Sequence, residues 1–323
     1  MAFFIAVVIS FVPAFFYAAI VYWLDRFEKE PLKLLVGAFI WGAFVATMGA
    51  IIWSSVFQLG IGLLVGDVAA DLAGPTIVAP IVEEVLKGLA VALIFLIFPH
   101  EFDSILDGMV YAAITALGFA ATENVLYLYF LAYQVGGYPD MFVLFFLRVI
   151  LGGWGHAVYT AFIGIGLAAA RLNPNPIAKF MFPIIGLAIA IFLHALHNGM
   201  AVFLVGTAGL SGFVAMMLVD WLTWLVALGV AIWAIRREQR WMQDQLRDEV
   251  AMGVLSQAQY ETACSIMGQT RARLQGRNAR RFYNACANLA QKKHQLARFG
   301  EESGNSARVA KWRNEVAQLS PLV

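Results

Sequence analysis

The chain has 323 residues, of which 61% are hydrophobic and 13% charged, with 22 basic against 21 acidic groups and a formal net charge of +1. The charges are unevenly spread: residues 236–323 hold 15 of the 22 Lys and Arg, which leaves 7 basic and 13 acidic groups for residues 1–235. So few charges cannot cover a water-soluble domain of that length, which excludes a wholly soluble globular chain and predicts an all-α polytopic membrane bundle (1–235) followed by a basic tail (236–323).

A helix needs about 20 apolar residues to cross the hydrocarbon, and seven stretches qualify, near 3–24, 33–56, 75–98, 104–131, 141–169, 177–204 and 212–235. Breakers stand at their ends: Pro31, Gly74-Pro75, Pro99, Gly136-Gly137, Asn173-Pro174-Asn175-Pro176 and Gly209. No basic segment precedes the first run, MAFFIAVVISFVPAFFYAAIVYWL, so it reads as a retained span rather than a cleaved leader. Arg26, Lys29 and Lys33 occupy the first connection, Arg171 and Lys179 the fifth, and the second, fourth and sixth carry no Lys or Arg. By the positive-inside rule this predicts an outside N-terminus and a cytoplasmic tail. The acidic third connection, Pro99 to Asp103, does not fit the alternation.

The tail reads as soluble helices separated by Gly253, Gly268, Gly276 and the Gly300–Gly304 segment, with 15 basic and 8 acidic groups. Its formal charge of +7 favours the anionic inner leaflet, although a plain solvated hairpin is the simpler expectation. Cys264 and Cys286 both lie in the tail, where reduced thiols are the default and no Cys-based metal site is expected. No repeat or nucleic-acid motif occurs.

Within the spans, Glu83, Glu84, Lys87, Glu123, Arg148, His156, His194, His197 and Asp220 are ionisable. Each costs on the order of 2.5–3.5 kcal/mol to insert, so such groups face protein or water and mark function. Counted from the outer ends of their spans, Glu83, Glu123, His156 and His194 fall at roughly 12–22 Å depth, as one shared site requires. Glu83 and Lys87 share a helix face, as do His194 and Asn198. The ammonium of Lys87 favours an ionised Glu83, and a carboxylate beside an imidazole can act as a general base. Plainer roles compete with these. Glu83 and Lys87 could simply be an ion pair fixing helix packing, with Glu84, about 100° away, as a second partner for Lys87. Arg148 reads as a structural counter-charge or a snorkelling residue, and Asp220 as structural because no His or Glu accompanies it in its helix. Ser104 and Asp107 have capping-box spacing, with Asp103 another helix-start carboxylate. His100 and His294 stand isolated.

Together these segments resemble a known family. Glu83-Glu84-Val85-Leu86-Lys87, then Asp107-Gly108, Gly118-Phe119-Ala120-Ala121-Thr122-Glu123-Asn124 and Tyr127, then Gly155-His156, then His194-Ala195-Leu196-His197-Asn198 are similar in order and content to the motifs of the PrsW family of intramembrane proteases. The elbow from Asp25 to Pro31 resembles that family's first loop, and the likeness spans residues 20 to about 200. The related CAAX prenyl proteases share an F-x-x-x-H pattern, which Phe119 and Glu123 fill here with Glu in place of His; His197 stands where the family commonly has an aromatic residue.

The resemblance implies hydrolysis of a peptide bond in a membrane-embedded protein, for example a membrane-anchored anti-sigma factor. Glu83 or Glu84, Glu123, His156, His194 and Asn198 would form the polar centre, supported by Lys87 and Asn124. In chemical terms Glu83 would activate water, Glu123 and His156 would orient it, and His194 with Asn198 would face the oxyanion. The same residues also allow a metal centre, with Zn2+ on Glu123, His156 and His194, and no HExxH helix decides between the two. Two other classes remain: a proton- or cation-coupled transporter, against which no internal symmetry is visible, and a membrane adaptor working through its tail.

Overall fold

Apolar runs bounded by Gly and Pro become helices throughout the computed structural model, which describes all residues except Glu28, Glu302 and Ser303. The chain is all-α, with no strand among the described residues. Glu28 of the first-loop motif lies outside the described residues, as do Glu302 and Ser303 within the expected break at Gly300–Gly304. The chain divides into two compact units, Met1–Trp23 with Glu30–Ala231, and Leu24–Lys29 with Ile232–Val323.

The first unit contains α1 (Ala2–Leu24), α2 (Leu32–Ile40), α3 (Thr47–Val65), α4 (Asp67–Ala73), α5 (Ala79–Ile97), α6 (Ile105–Leu126), α7 (Gln134–Phe145), α8 (Gly155–Leu172), α9 (Pro176–Met200) and the single turn α10 (Gly206–Ala208). The long α11 (Leu210–Ala251) runs on into the second unit. Wider π turns interrupt the path at Trp41–Ala46, Gly74–Val78, Tyr127–Tyr133, Phe146–Leu151 and Ala201–Val205.

Five stretches are long and apolar enough to cross a membrane: Ala2–Leu24, Leu32–Val65, Ile105–Leu172, Pro176–Ala208 and Leu210–Ala251. To these α5 adds a 19-residue apolar helix carrying Glu83, Glu84 and Lys87. A membrane helix bundle is thus present. Gly137, at φ 76°, kinks the path within α7, and the turn over Gly152–Trp154 separates α7 from α8, so the expected span 141–169 is two helices. The missed signal is the pair Gly152-Gly153 inside an apolar run.

Helix α6 is buried on almost every side, as its apolar periphery dictates. Ser104 caps its start, accepting from the backbone N–H of Leu106 and Asp107, while Asp107 accepts from the N–H of Asp103 and Ser104, a full capping box as the spacing predicted. Close crossings set its neighbours. A Cβ on Gly108 would strike the Gly164 carbonyl and one on Gly164 the Gly108 carbonyl, so α6 and α8 meet backbone to backbone; between α8 and α9, a Cβ on Gly166 would strike the Phe182 carbonyl and one on Gly186 the Phe162 carbonyl. Small residues at crossings are the usual solution where lipid provides no hydrophobic drive between helices. The outer faces are apolar: on α5, Ile81, Val85 and Leu89 are exposed while Glu83, Glu84 and Lys87 are buried. The charges of α5 therefore point into the bundle and its aliphatic side chains out to lipid.

The second unit adds α12 (Gln257–Ala263), α13 (Ile266–Arg273), α14 (Arg277–Phe299) and α15 (Asn305–Leu319). Amphipathic α14 buries Phe282, Tyr283, Cys286 and Leu289 and exposes Arg280 and Arg281. Glu249 is buried between Arg313, 2.7 Å away, and Lys293, 2.8 Å away. The Leu24–Lys29 segment packs in this unit, where Phe27 is buried and Arg26 Nη1 donates to Thr270 Oγ1 at 3.1 Å. Burial pushes the Cys264 thiol up to about 12, so it stays protonated and unreactive.

Candidate active site

Glu84 is held on both of its carboxylate oxygens. Helix α5 turns it inward with no exposed surface, and three helices supply its partners. Its Oε1 lies 2.7 Å from Lys87 Nζ and 2.9 Å from His194 Nδ1, and its Oε2 accepts from Thr160 Oγ1 at 2.7 Å. A buried carboxylate with both oxygens bonded is a fixed support. His194 accordingly donates from Nδ1 and turns Nε2 the other way, toward Glu83 Oε2 at 3.7 Å.

Glu83 stands differently. Its Oε2 is buried without a hydrogen-bond partner and lies 3.7 Å from Lys87 Nζ. The closer ion pair of Lys87 is thus with Glu84, three residues back, and the face-sharing pair with Glu83 is the looser one. Lys87 also donates to His156 Nδ1 at 3.2 Å and sits 4.5 Å from the centre of the Phe119 ring.

His156 begins α8 just past the Gly152–Trp154 turn, and its Nε2 lies 2.9 Å from Glu123 Oε2. Glu123 is held in turn by Arg148 Nη2 at 2.8 Å, and Arg148 Nε donates to Asn124 Oδ1 at 3.1 Å while its guanidinium covers the Tyr127 ring at 3.8 Å. The rings of His156 and His194 meet edge to face, 4.9 Å between centroids. Glu83, Glu84, Lys87, Glu123, Asn124, His156 and His194 therefore form one connected cluster drawn from α5, α6, α8 and α9, with Arg148 as the counter-charge expected of it.

Asn198 is not bonded to that cluster among the described residues; its side-chain amide donates to Pro75 O at 2.8 Å, tying α9 to the turn before α5. The expected metal set also changes. Among the described residues, the three whose ligand atoms all lie within 4.8 Å of one another are Glu83, His156 and His194, with Glu83 where the sequence suggested Glu123.

Sequence reasoning missed a second group. Asp220 Oδ1 accepts from Tyr159 OH at 2.9 Å and Oδ2 lies 2.8 Å from His197 Nδ1, so a histidine does accompany Asp220, from another helix. The Tyr159 ring stacks on His194 at 5.5 Å. Thr160 and Tyr159 were within reach of a spacing argument, four and three residues after His156 and so on its face of α8. Four of the π turns lie within two turns of Glu83, Glu123, Arg148 or Asn198, consistent with the enrichment of such turns at functional sites.

A family model described as PrsW family intramembrane metalloprotease matches residues 30–241. A Protease PrsW of Geobacillus kaustophilus is 26% identical over 178 residues, 55% of this chain and 71% of that protein. One from Oceanobacillus iheyensis is 27% identical over 219 residues, 67% of this chain and 89% of its own length. One from Bacillus subtilis is 24% identical over 214 residues, 66% and 83% respectively. No solved structure matches the chain.

Proposed function

The chain belongs to the PrsW family of intramembrane metalloproteases, and on that premise we propose that it hydrolyses a peptide bond of a membrane-anchored protein at Glu83, His156 and His194, with Glu83 receiving the proton of the attacking water. The observation that carries this reading is Glu83 Oε2, buried, without a hydrogen-bond partner, and facing His194 Nε2 at 3.7 Å.

The donor set fits a divalent ion. With His194 Nδ1 committed to Glu84, its Nε2 lone pair opposes a carboxylate oxygen, and two acceptors turned toward each other favour a shared cation. Two imidazoles and one carboxylate are a zinc-type donor set, and His156 would join by giving up one of its ring's two bonds. A metal held there supplies Lewis-acid polarisation of the scissile carbonyl and acidifies water.

The protein's own groups do the rest. Glu84 and Thr160 fix the tautomer and rotation of His194, the carboxylate–histidine support common behind metal ligands. Glu123 and Arg148 do the same for His156. Lys87 balances Glu83 and Glu84 and so keeps carboxylates ionised in a low-dielectric interior. A carboxylate has two oxygens, so Glu83 can lend one to an ion and keep the other for the water's proton.

The proposed substrate is a single-span membrane protein, with membrane-anchored anti-sigma factors as the first class to try. The test is cleavage of such substrates by the reconstituted enzyme, with products identified by mass spectrometry. Glu83→Gln keeps the shape and removes the base, so turnover should fall by at least about 100-fold. Full activity in Glu83→Gln would remove Glu83 from the mechanism.

A further inference from the structure

Once Glu83 has taken the proton of the attacking water it can pass it to the nitrogen of the departing amine, but the other groups of the cluster are committed elsewhere. His156 has both ring nitrogens engaged, His194 turns Nε2 to Glu83, and Lys87 is fully buried between Glu84 and His156. His197 differs from all three. It lies on α9 one turn past His194, about 4.5 Å along the axis. Its side chain is 25% exposed, against 16% for His156 and 2% for His194. Its Nδ1 is fixed by Asp220 Oδ2 at 2.8 Å, and Nε2 has no hydrogen-bond partner among the described residues. The Tyr159 ring is close to both imidazoles of α9, 5.5 Å from His194 and 6.1 Å from His197, and its hydroxyl donates to the other oxygen of Asp220. The carboxylate that orients His197 is thereby itself fixed, from a helix other than the one that carries the imidazole.

We propose that His197, oriented by Asp220, is the acid that protonates the leaving amine, a role that rests on the hydrolytic reading. As the carbon–nitrogen bond of the tetrahedral intermediate breaks, its electron pair goes to nitrogen, which takes the proton from Nε2 of the His197 imidazolium. Glu83 then releases the proton it took from the attacking water and the neutral imidazole takes one up, so the two exchanges cancel. Asp220 accepts the Nδ1 hydrogen throughout and stabilises the imidazolium, as buried carboxylates do for catalytic histidines. An imidazole one turn beyond His194 is placed for the amine side of a bond whose carbonyl lies at His194.

An amine leaves only when protonated, whereas the oxygen of an ester leaves readily without help. The experiment therefore compares the reconstituted full-length enzyme on two single-span substrates that differ only in the scissile bond, a peptide bond or the corresponding ester. His197→Phe should lower kcat for the peptide bond by about 100-fold, with KM little changed, and for the ester by less than about 5-fold. Asp220→Asn, which leaves the imidazole in place but weakens its orientation, should shift the ratio in the same direction by less. A thermal midpoint for both variants near that of the wild type checks folding, and an equal fall on both bonds is what a purely structural role predicts. An equal fall, or no fall, with Glu83→Gln still inactive, overturns this inference alone. Wild-type enzyme that cuts neither substrate overturns the hydrolytic reading and this inference with it.

Discussion

Two adjacent glutamates of α5 have opposite surroundings, and that contrast assigns them different tasks. Glu84 has a partner for each oxygen, from Lys87, Thr160 and His194, whereas Glu83 Oε2 has none. The sequence placed both carboxylates on an inward helix but left open which was the base, because a 100° rotation per residue says nothing of what waits on each side. If Glu84 acts by holding His194, Glu84→Gln should leave the protein folded and weaken divalent-ion binding by roughly 10–100-fold. Zinc titration of the purified protein against a competing chelator measures this. Unchanged affinity with activity abolished would instead make Glu84 the reacting carboxylate. Removal of the metal by chelation should abolish cleavage in the wild type and be reversed by readdition.

At the scale of elements, the site depends on how closely α6, α8 and α9 approach. Gly108 and Gly164 face each other's carbonyls, and His156 lies eight residues before Gly164 on α8. Gly164→Val should push α6 and α8 apart, costing about 1–3 kcal/mol or more and separating His156 from Glu123. Thermal unfolding and cleavage should both fall, while Gly37→Ala, whose Cβ would meet nothing within 4 Å, should leave both near wild type. In the tail, α14 carries His294 with its ring stacked on Trp241 at 4.0 Å. Burial, with the nearby Arg298 and Arg237 charges, lowers His294 to about 4. The unfolded chain therefore takes up a proton first as pH falls, so stability is full above about pH 6.5 and is lost toward pH 4. Burial works to raise Glu249, but Arg313 and Lys293 outweigh it and lower the carboxyl, so its contribution is also lost on acidification, at lower pH. Because His294 is partly exposed, its loss from pH 7 to 5 should be roughly 1–2 kcal/mol. Hydrogen exchange of α14 in the full-length protein should show about 5- to 30-fold lower protection at pH 5, and His294→Phe should flatten that dependence.

For the whole molecule, the remaining question is which way it faces. Membership of the family and the apolar outer faces of the helices make it an integral membrane protein whose relatives named above are bacterial. The orientation we propose puts Gly206–Gly212 outside and the tail in the cytoplasm, because Lys and Arg are absent from the former and concentrated in the latter. In a background lacking Cys264 and Cys286, Ser211→Cys should react with an impermeant thiol reagent in intact cells and Ala307→Cys only after lysis. The reverse pattern would invert the topology. The family match ends at residue 241, so α12 to α15 lie beyond it. That the second unit includes Leu24–Lys29 could not be read from composition, since this loop is over 200 residues from the tail in sequence.

Hydropathy, the cost of charge in lipid and helical spacing made the membrane bundle, the inward face of α5 and most of the cluster legible from sequence alone. Each of those follows from one helix and its solvent. The order of the motifs was also enough to identify the family. Tertiary structure decided what depends on two helices at once. It turned the expected span 141–169 into two helices around Gly152-Gly153, set Lys87 closer to Glu84 than to Glu83, and bonded Asn198 to Pro75. It also brought His197 and Tyr159 to an aspartate that looks solitary along its own helix. Hydrogen bonds act over about 3 Å, and a residue's position on one helix does not determine which atom of another lies within that distance.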